Sequence, residues 1–500
     1  MTQVYRAKQP AGKLMKKPKT LLRDIFGFDE FRPGQREIIN AVSSKKNVLA
    51  IMPTGGGKSL CFQLPALMSE GLTVVISPLI ALMRDQVRGL QAAGVAAGAL
   101  TSGNTEDEID SVFSEIYAGK LKILYVAPER LASSSMQSAL FRFNVTSLVV
   151  DEAHCVSQWG HDFRPDYLRI GELRKSLGVP LAAFTATADK ETRKEITERL
   201  FDGVVPKVFL HGFDRPNIYL SFAVKDNPRR QILEFVSHRK GQPGIIYCGT
   251  RAKTETIAKA LKEAGHSTCY YHGGMPAEER RLVENRFAVE DGLIVVATVA
   301  FGMGIDKPDI RWVAHADLPK SIESFYQEIG RAGRDGGPAE TYTLYGQEDI
   351  RLRRSQIDEG LATFERKSAD HGRLNALLGL AEALDCRRNA LLKYFGESDV
   401  ECGNCDLCEK PPEKFDATQA VRKALSAILR TDEYFGAGHL IDILLGNETD
   451  KVLNNGHKAL PTFGVGKDFS RVKWQAIFRQ MMGHDFIRPD PNRHGALRIM

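Results

Sequence analysis

From Asn47 onward, short apolar runs alternate along the chain with longer stretches whose apolar positions recur at helical spacing. The runs fall at residues 48–51, 72–76, 122–126, 147–150 and 181–184. Uninterrupted apolar runs of this length fit strands covered on both faces, and their alternation with helical patterns is the rhythm of βαβ units around a parallel sheet. A second series follows at residues 244–247, 293–297 and 311–314. Two α/β lobes are therefore predicted. The stretch Phe213-Asp-Arg-Pro-Asn217 reads as the turn-rich connection between them, because Pro216 and Asn217 interrupt both periods. Past about Tyr345 the strand pattern stops. Residues 350–395 read as helical, a cysteine cluster follows, and Pro411-Pro412 separates it from a last helical segment.

Composition narrows the class. With 500 residues, 43% hydrophobic and 26% charged, the chain can bury several cores and suggests three or four domains. No apolar run reaches the ~18 residues of a membrane span, since the best candidate, residues 71–83, is interrupted by Pro78 and closed by Arg84. The N-terminal residues hold no apolar core of signal-peptide length. The net charge of +6 carries little information: residues 1–23 hold seven Lys/Arg and no acid, so +6 minus +7 leaves −1 for the rest. That leader, with Pro10, Gly12 and Pro18, reads as a solvated basic tail. Residues 421–500 are more informative, with twelve Lys/Arg against eight Asp/Glu giving +4, in keeping with a polyanionic partner.

The chemistry-bearing motifs sit at the ends of the predicted strands. Residues 48–59 give a strand, a glycine-rich loop (Thr54, Gly55, Gly56, Gly57) and a helix opening at Lys58 and Ser59. Glycines let backbone N–H groups close around phosphate oxygens, Lys58 adds a point charge, and the Ser59 hydroxyl suits Mg²⁺. Met52 stands where the strict Walker pattern has glycine, which fits the Pro-Thr-Gly-x-Gly-Lys-Ser loops of helicases better than those of small GTPases or kinases. Asp151-Glu-Ala-His154 follows the apolar run 147–150, at a strand's carboxyl end where α/β sheets bind ligands. Asp151 suits magnesium, Glu152 suits the orientation or deprotonation of water, and His154 reads as a relay between the nucleotide and nucleic acid, having no zincin-spaced companion. Thr185-Ala-Thr-Ala188 follows the next run and reads as a link between lobes on nucleotide binding. The second lobe carries Tyr326-Gln-Glu-Ile-Gly-Arg-Ala-Gly-Arg-Asp335, with Gln327 as a further catalytic candidate and with Arg331 and Arg334 on one face if the segment is helical. A guanidinium brought to a γ-phosphate is worth roughly 10³–10⁵ in rate.

Together with residues 26–35 and Ser157-Gln-Trp-Gly-His-Asp-Phe-Arg-Pro165, these motifs resemble the RecQ helicases of superfamily 2, from about Leu21 to the last residue. The resemblance implies an α/β fold of two tandem RecA-like lobes, a helical zinc-binding module and a winged helix. The expected divisions are a leader at 1–20, lobes at 21–213 and 214–346, the zinc module at 347–412 and the winged helix at 413–500. It implies that Phe28 stacks on adenine and that Arg32 and Gln35 contact the base, Gln35 having the donor and acceptor that an adenine edge requires. It makes the loop of Ser157, Gln158, Trp159, His161, Phe163 and Arg164 a DNA-contacting and coupling element whose aromatic faces can stack unpaired bases. Many relatives add a helical HRDC domain that is not among these residues.

Cys402-x-x-Cys405-x-x-Cys408 with Cys386 sixteen residues earlier gives four thiolates, the number that closes a structural zinc site. A ferredoxin-like run would want a further cysteine where Pro412 stands, and the resemblance also assigns Cys386 as the fourth ligand. Cys61, Cys155, Cys248 and Cys269 read as buried small hydrophobes. The resemblance implies an ATP- and Mg²⁺-dependent DNA helicase with one zinc, moving 3′ to 5′ in recombination and repair. It would be cytoplasmic, nucleoid-associated and monomeric, acting on single-stranded and tailed or forked duplex DNA, with single-strand-binding protein and topoisomerase as partners. Two other readings stay open: an RNA-dependent ATPase, and a non-enzymatic zinc and winged-helix DNA-binding protein with a relic nucleotide fold.

Overall fold

The computed structural model describes residues 17–53, 55–101, 103–131, 133–157, 163–186, 190–210, 212–301, 307–490, 493 and 496–500. Two units, 1–212 and 213–500, each have their own core.

In the first unit, strands β1 (Val48–Ile51), β2 (Leu72–Ile76), β3 (Ala97–Leu100), β4 (Ile123–Val126), β5 (Val145–Val150), β6 (Leu181–Thr185) and β7 (Lys207–Leu210) form one sheet in the order β3-β4-β2-β5-β6-β1-β7. All of its described pairings are parallel. The central strands are wholly buried, as their unbroken apolar runs require. The two edge strands escaped the hydrophobic pattern for opposite reasons. Residues 97–100 read Ala-Gly-Ala-Leu, too small to register as a strand, whereas β7 opens with exposed Lys207 and Val208. Part of the basic N-terminal stretch is folded. A helix spans Pro18–Phe26, with proline in its first turn, left-handed Gly27 as its cap, and Leu21 and Leu22 buried in the core.

The second unit opens with β8 (Ile218–Tyr219) and β9 (Phe222–Val224), continues through β10 (Gly244–Tyr247), β11 (Thr268–Tyr271), β12 (Ile294–Ala297) and β13 (Trp312–His315), and reaches β14 (Ala339–Tyr345). The order is β11-β12-β10-β13-β14-β8, with β9 also on β14, and all described pairings are parallel. Residues 218–224 thus belong to this sheet and are more than a connection. The helical reading of residues 350–395 resolves into helices Gln347–Glu359, Phe364–Ala381 and Arg387–Phe395. The C-terminal segment holds helices Thr418–Arg430, Ala437–Leu445, Asp450–Asn454 and Arg471–Gly483, then the antiparallel pair β15 (Ile487–Asp490) and β16 (Ala496–Ile499). The strands therefore do not stop at Tyr345. This hairpin was invisible to the pattern because Pro489 interrupts its first strand and charged Arg488 and Arg498 face each other across it. Trp474 anchors the segment, fully buried, with its ring N–H donating to the Gly466 carbonyl at 2.8 Å.

Candidate active site

β6 lies between β5 and β1, so the loops that follow these three strands emerge side by side from one sheet edge. That places the glycine-rich loop, the Asp151-Glu-Ala-His154 motif and Thr185 together. Gly55 and Gly57 take φ of +80° and +78°, and the helix begins at Lys58 as expected. A Cβ on Gly57 would come within 2.3 Å of Gln35 Nε2, so both backbone conformation and space require glycine there.

Gln35 is buried, and its amide nitrogen donates to the Gly56 and Gly57 carbonyls at 3.2 and 3.3 Å while its oxygen accepts from the Arg32 N–H at 2.9 Å. Arg32 in turn donates to the Gly55 carbonyl. In this arrangement the two residues brace the phosphate loop itself. Phe28 is 55% exposed, which excludes the core aromatic and leaves its face open. Lys58 Nζ donates to the Met52 and Pro53 carbonyls at 3.3 and 3.5 Å, and Ser59 is half-buried beside it.

Asp151 is buried, with Oδ2 accepting from Ser77 Oγ at 3.4 Å and Oδ1 from the Glu152 N–H at 3.0 Å. Its acidity is weakened to about 7, first by burial and then by the Glu152 carboxylate, with Lys58 opposing. A buried carboxylate held beside a second one fits a cation. The Tyr167 hydroxyl donates to the Asp151 carbonyl at 3.1 Å and fixes the turn from below. Glu152 sits in the left-handed region at φ +49°, an uncommon place for a non-glycine residue. His154 Nδ1 lies 3.3 Å from Glu152 Oε2 and 2.9 Å from Thr185 Oγ1. The histidine therefore joins the acidic pair to the threonine motif. These partners, Glu152 and Thr185, make it a bridge inside this unit.

The aromatic-rich loop is only partly described: Gln158, Trp159 and His161 lie outside the described residues, as does Thr54. Ser157 departs from the expected DNA-facing role, because it is fully buried with Oγ donating to Glu195 Oε2 at 2.8 Å. It fastens the start of the loop to the helix Lys190–Phe201. Phe163 and Arg164 are half-buried, and Arg164 donates to the Pro78 carbonyl at 3.2 Å.

In the second unit the helix Ile322–Ile329 carries Gln327, which is half-buried, and ends before Arg331. The arginines are consequently not on one helical face. They stand on a turn that Gly333 enters at φ +56°. Arg331 is buried against the Tyr247 hydroxyl, and Arg334 is more exposed. Between them and Gln327, buried Glu328 accepts from His315 Nε2 at 3.0 Å, and His315 Nδ1 meets Thr343 Oγ1 at 3.0 Å. Nothing local in the sequence signals this chain, since His315 closes an ordinary buried strand.

Four sulfurs, those of Cys386, Cys402, Cys405 and Cys408, all lie within 4.8 Å of one another. Thiolates about 2.3 Å from a tetrahedral zinc stand roughly 3.8 Å apart, so the donor set and its spread fit that metal. The backbone N–H groups of Asn389 and Asn404 point at the sulfurs of Cys386 and Cys402, at 3.5 and 3.4 Å. Cys61, Cys155 and Cys248 are buried, and Cys269 is half-buried.

Residues 32–196 match the DEAD/DEAH box helicase family, 227–336 the helicase conserved C-terminal domain, 347–409 the RecQ zinc-binding family and 411–500 the RQC domain. The chain is 43% identical over 480 residues to the ATP-dependent DNA helicase RecQ of Haemophilus influenzae, covering 95% of this chain and 77% of that protein. The chain belongs to the RecQ helicase family. To the RecQ of Bacillus subtilis it is 38% identical, over 95% of this chain and 81% of the relative. Among solved structures, the DUF1998 helicase MrfA bound to DNA shares the fold with a TM-score of 0.57 and 19% identity, over 74% of this chain and 58% of that one. For a RecQ family chain the cysteine cluster is a structural zinc site, and the C-terminal segment is the RQC winged helix. Among the described residues no helix is long and apolar enough to cross a membrane.

Proposed function

We propose that this chain is an ATP-dependent DNA helicase that couples hydrolysis to 3′–5′ movement on single-stranded DNA and to duplex unwinding. The observation that carries the reading is one sheet edge that brings a phosphate-shaped glycine loop, a buried acidic pair and a histidine-threonine bridge together. Lys58 and the loop N–H groups hold the phosphates, and Asp151 with Ser59 holds magnesium, which supplies charge neutralisation on the phosphoryl oxygens when bound. Glu152 orients the attacking water and takes its proton. His154 passes the state of Glu152 to Thr185. Gln327, Arg331 and Arg334 form the second catalytic group, with Arg334 as the arginine finger that stabilises the transition-state charge. Phe28 receives adenine on its exposed face, and Arg32 and Gln35 contact the base after exchanging their loop partners.

Trp159, Gln158, His161, Phe163 and Arg164 meet the DNA strand and couple it to the acidic pair, with Ser157 as the loop's anchor. The winged helix contributes duplex contacts through its excess of Lys and Arg over acidic residues. We place the protein in the bacterial cytoplasm at the nucleoid, acting as a monomer alongside single-strand-binding protein and topoisomerase in recombination and repair. Measuring ATP turnover without nucleic acid, with single-stranded DNA and with RNA tests the core of this reading. Strong stimulation by DNA alone is expected; equal stimulation by RNA, or no turnover at all, overturns it.

A further inference from the structure

Helix Ile322–Ile329 ends where Arg331 and Arg334 begin, so carbonyls past its last turn have no helical N–H to accept from. The N–H side of this turn is pinned by other backbone: Ala332 N–H to Ile329 at 3.0 Å, Gly333 N–H to Ile310 at 2.8 Å and Asp335 N–H to Pro308 at 3.2 Å. The carbonyl side is held by side chains from far away in the sequence. Arg215 Nη1 donates to the Gly330 carbonyl at 3.3 Å, and Nη2 to those of Ala332 and Gly333 at 2.9 and 2.8 Å. Asn217 Nδ2 donates to Gly333 and Gly337 at 2.9 and 2.8 Å. A guanidinium at a helix C-terminus also complements the partial negative charge there.

Arg215 is itself fixed. Its carbonyl accepts from Arg388 Nη1 at 2.6 Å, and the 3%-exposed Arg388 also binds Asp214 Oδ1 at 2.9 Å, the Ile218 carbonyl at 2.7 Å and Cys402 Sγ at 3.2 Å. A ring stack between Phe213 and Phe395, centroids 4.4 Å apart, and the Tyr326 hydroxyl on the Phe213 carbonyl at 3.0 Å close the other side.

We propose that Arg215 and Asn217 are positioning residues that set the Arg331–Arg334 turn for transition-state contact, with Arg388 anchoring them to the cysteine cluster. The proposal rests on the arginine-finger reading above. A lysine at 215 keeps the charge but presents one ammonium to three carbonyls that a planar fork serves together. The turn would then shift by fractions of an ångström while the fold survives. Because misplacement by about 1 Å can cost about 10²-fold in rate, the loss should appear in kcat.

The test compares full-length wild type, Arg215→Lys, Asn217→Ala and Arg334→Ala for DNA-stimulated kcat and KM, melting temperature and zinc per chain. Arg215→Lys is expected to lose about tenfold or more in kcat with KM within about twofold, an unchanged metal content and near-normal melting. Asn217→Ala should lose about threefold in the same pattern. Wild-type kcat in a folded Arg215→Lys, or joint failure of kcat, KM and melting, overturns the proposal. Should Arg215→Lys be insoluble, Asn217→Ala decides, with unchanged kcat overturning it. If Arg334→Ala alone keeps wild-type turnover, the finger reading itself has failed; a dead Arg334→Ala beside a normal Arg215→Lys leaves the finger and removes only the positioning role.

Discussion

The glycine-rich loop of the first lobe and the arginine turn of the second are held in opposite ways. The phosphate loop is shaped by its own glycines and braced by Arg32 and Gln35, at most 23 residues away. The arginine turn is held by Arg215 and Asn217, between 115 and 120 residues away, and they in turn by Arg388, another 173 residues along. A local site can be damaged without disturbing its surroundings, whereas a site assembled from distant segments shares the fate of everything that anchors it.

The largest effect that would sharpen this contrast is at the cysteines. Cys405→Ala should release zinc, whose apparent binding energy in small folding units is on the order of 10–16 kcal/mol, and loosen residues 386–408. The damage should spread through the second unit, because the Leu220 carbonyl accepts from the Asp406 N–H at 3.0 Å and Asp406 accepts from the Phe222 N–H at 3.1 Å. Elemental analysis should fall from one zinc per chain, and limited proteolysis should cut residues 213–500 while sparing 17–212. Protection of both units after zinc loss would break the comparison.

Lys58→Ala should reduce ATP turnover by about 10³-fold or more, through loss of a charge on the transferring phosphate, while DNA binding and melting stay near normal. Wild-type-like hydrolysis would remove the phosphate-loop assignment. Gly57→Ala should cost about tenfold in turnover, since its Cβ would fall 2.3 Å from Gln35 Nε2 at φ +78°. Adding Gln35→Ala should recover part of that loss if the steric contact is its cause. Trp159→Ala should keep DNA-free hydrolysis and lose much of the DNA stimulation, consistent with base stacking worth roughly 1–3 kcal/mol. A fall of about 3–5 kcal/mol in stability with every activity depressed would mark a core tryptophan instead.

The same contrast decides what was legible in the sequence. Gly55, Gly57, Lys58, Asp151 and Glu152 stand out as candidates because each is a distinctive residue type at fixed spacing behind an apolar strand. The four cysteines do so for the same reason. Arg215, His315 and Arg388 carry no such mark, since their partners are defined by the folded chain and not by neighbours in sequence. Ser157 was misread for a related reason: it stands at the head of a loop rich in aromatic residues, yet its hydroxyl is claimed by Glu195. The edge strands 97–100 and 207–210 failed for different reasons: the first is buried but built from small residues, whereas the second opens with exposed positions where an edge relaxes the demand for apolar residues.

The stitching of residues 213–222 to residues 388–406 also has a cost during synthesis. Phe213 and Phe222 each give their backbone N–H to a carboxylate 184 residues downstream, on Glu397 and Asp406. At about 5–20 residues per second, a ribosome needs roughly 10–40 s to deliver those partners. Until then β8 and β9 present an unfinished sheet edge of high contact order, open to pairing with another nascent chain. A ribosome-bound chain ending before residue 386 should therefore be the species that needs a chaperone, and one extended past residue 408 should no longer need it.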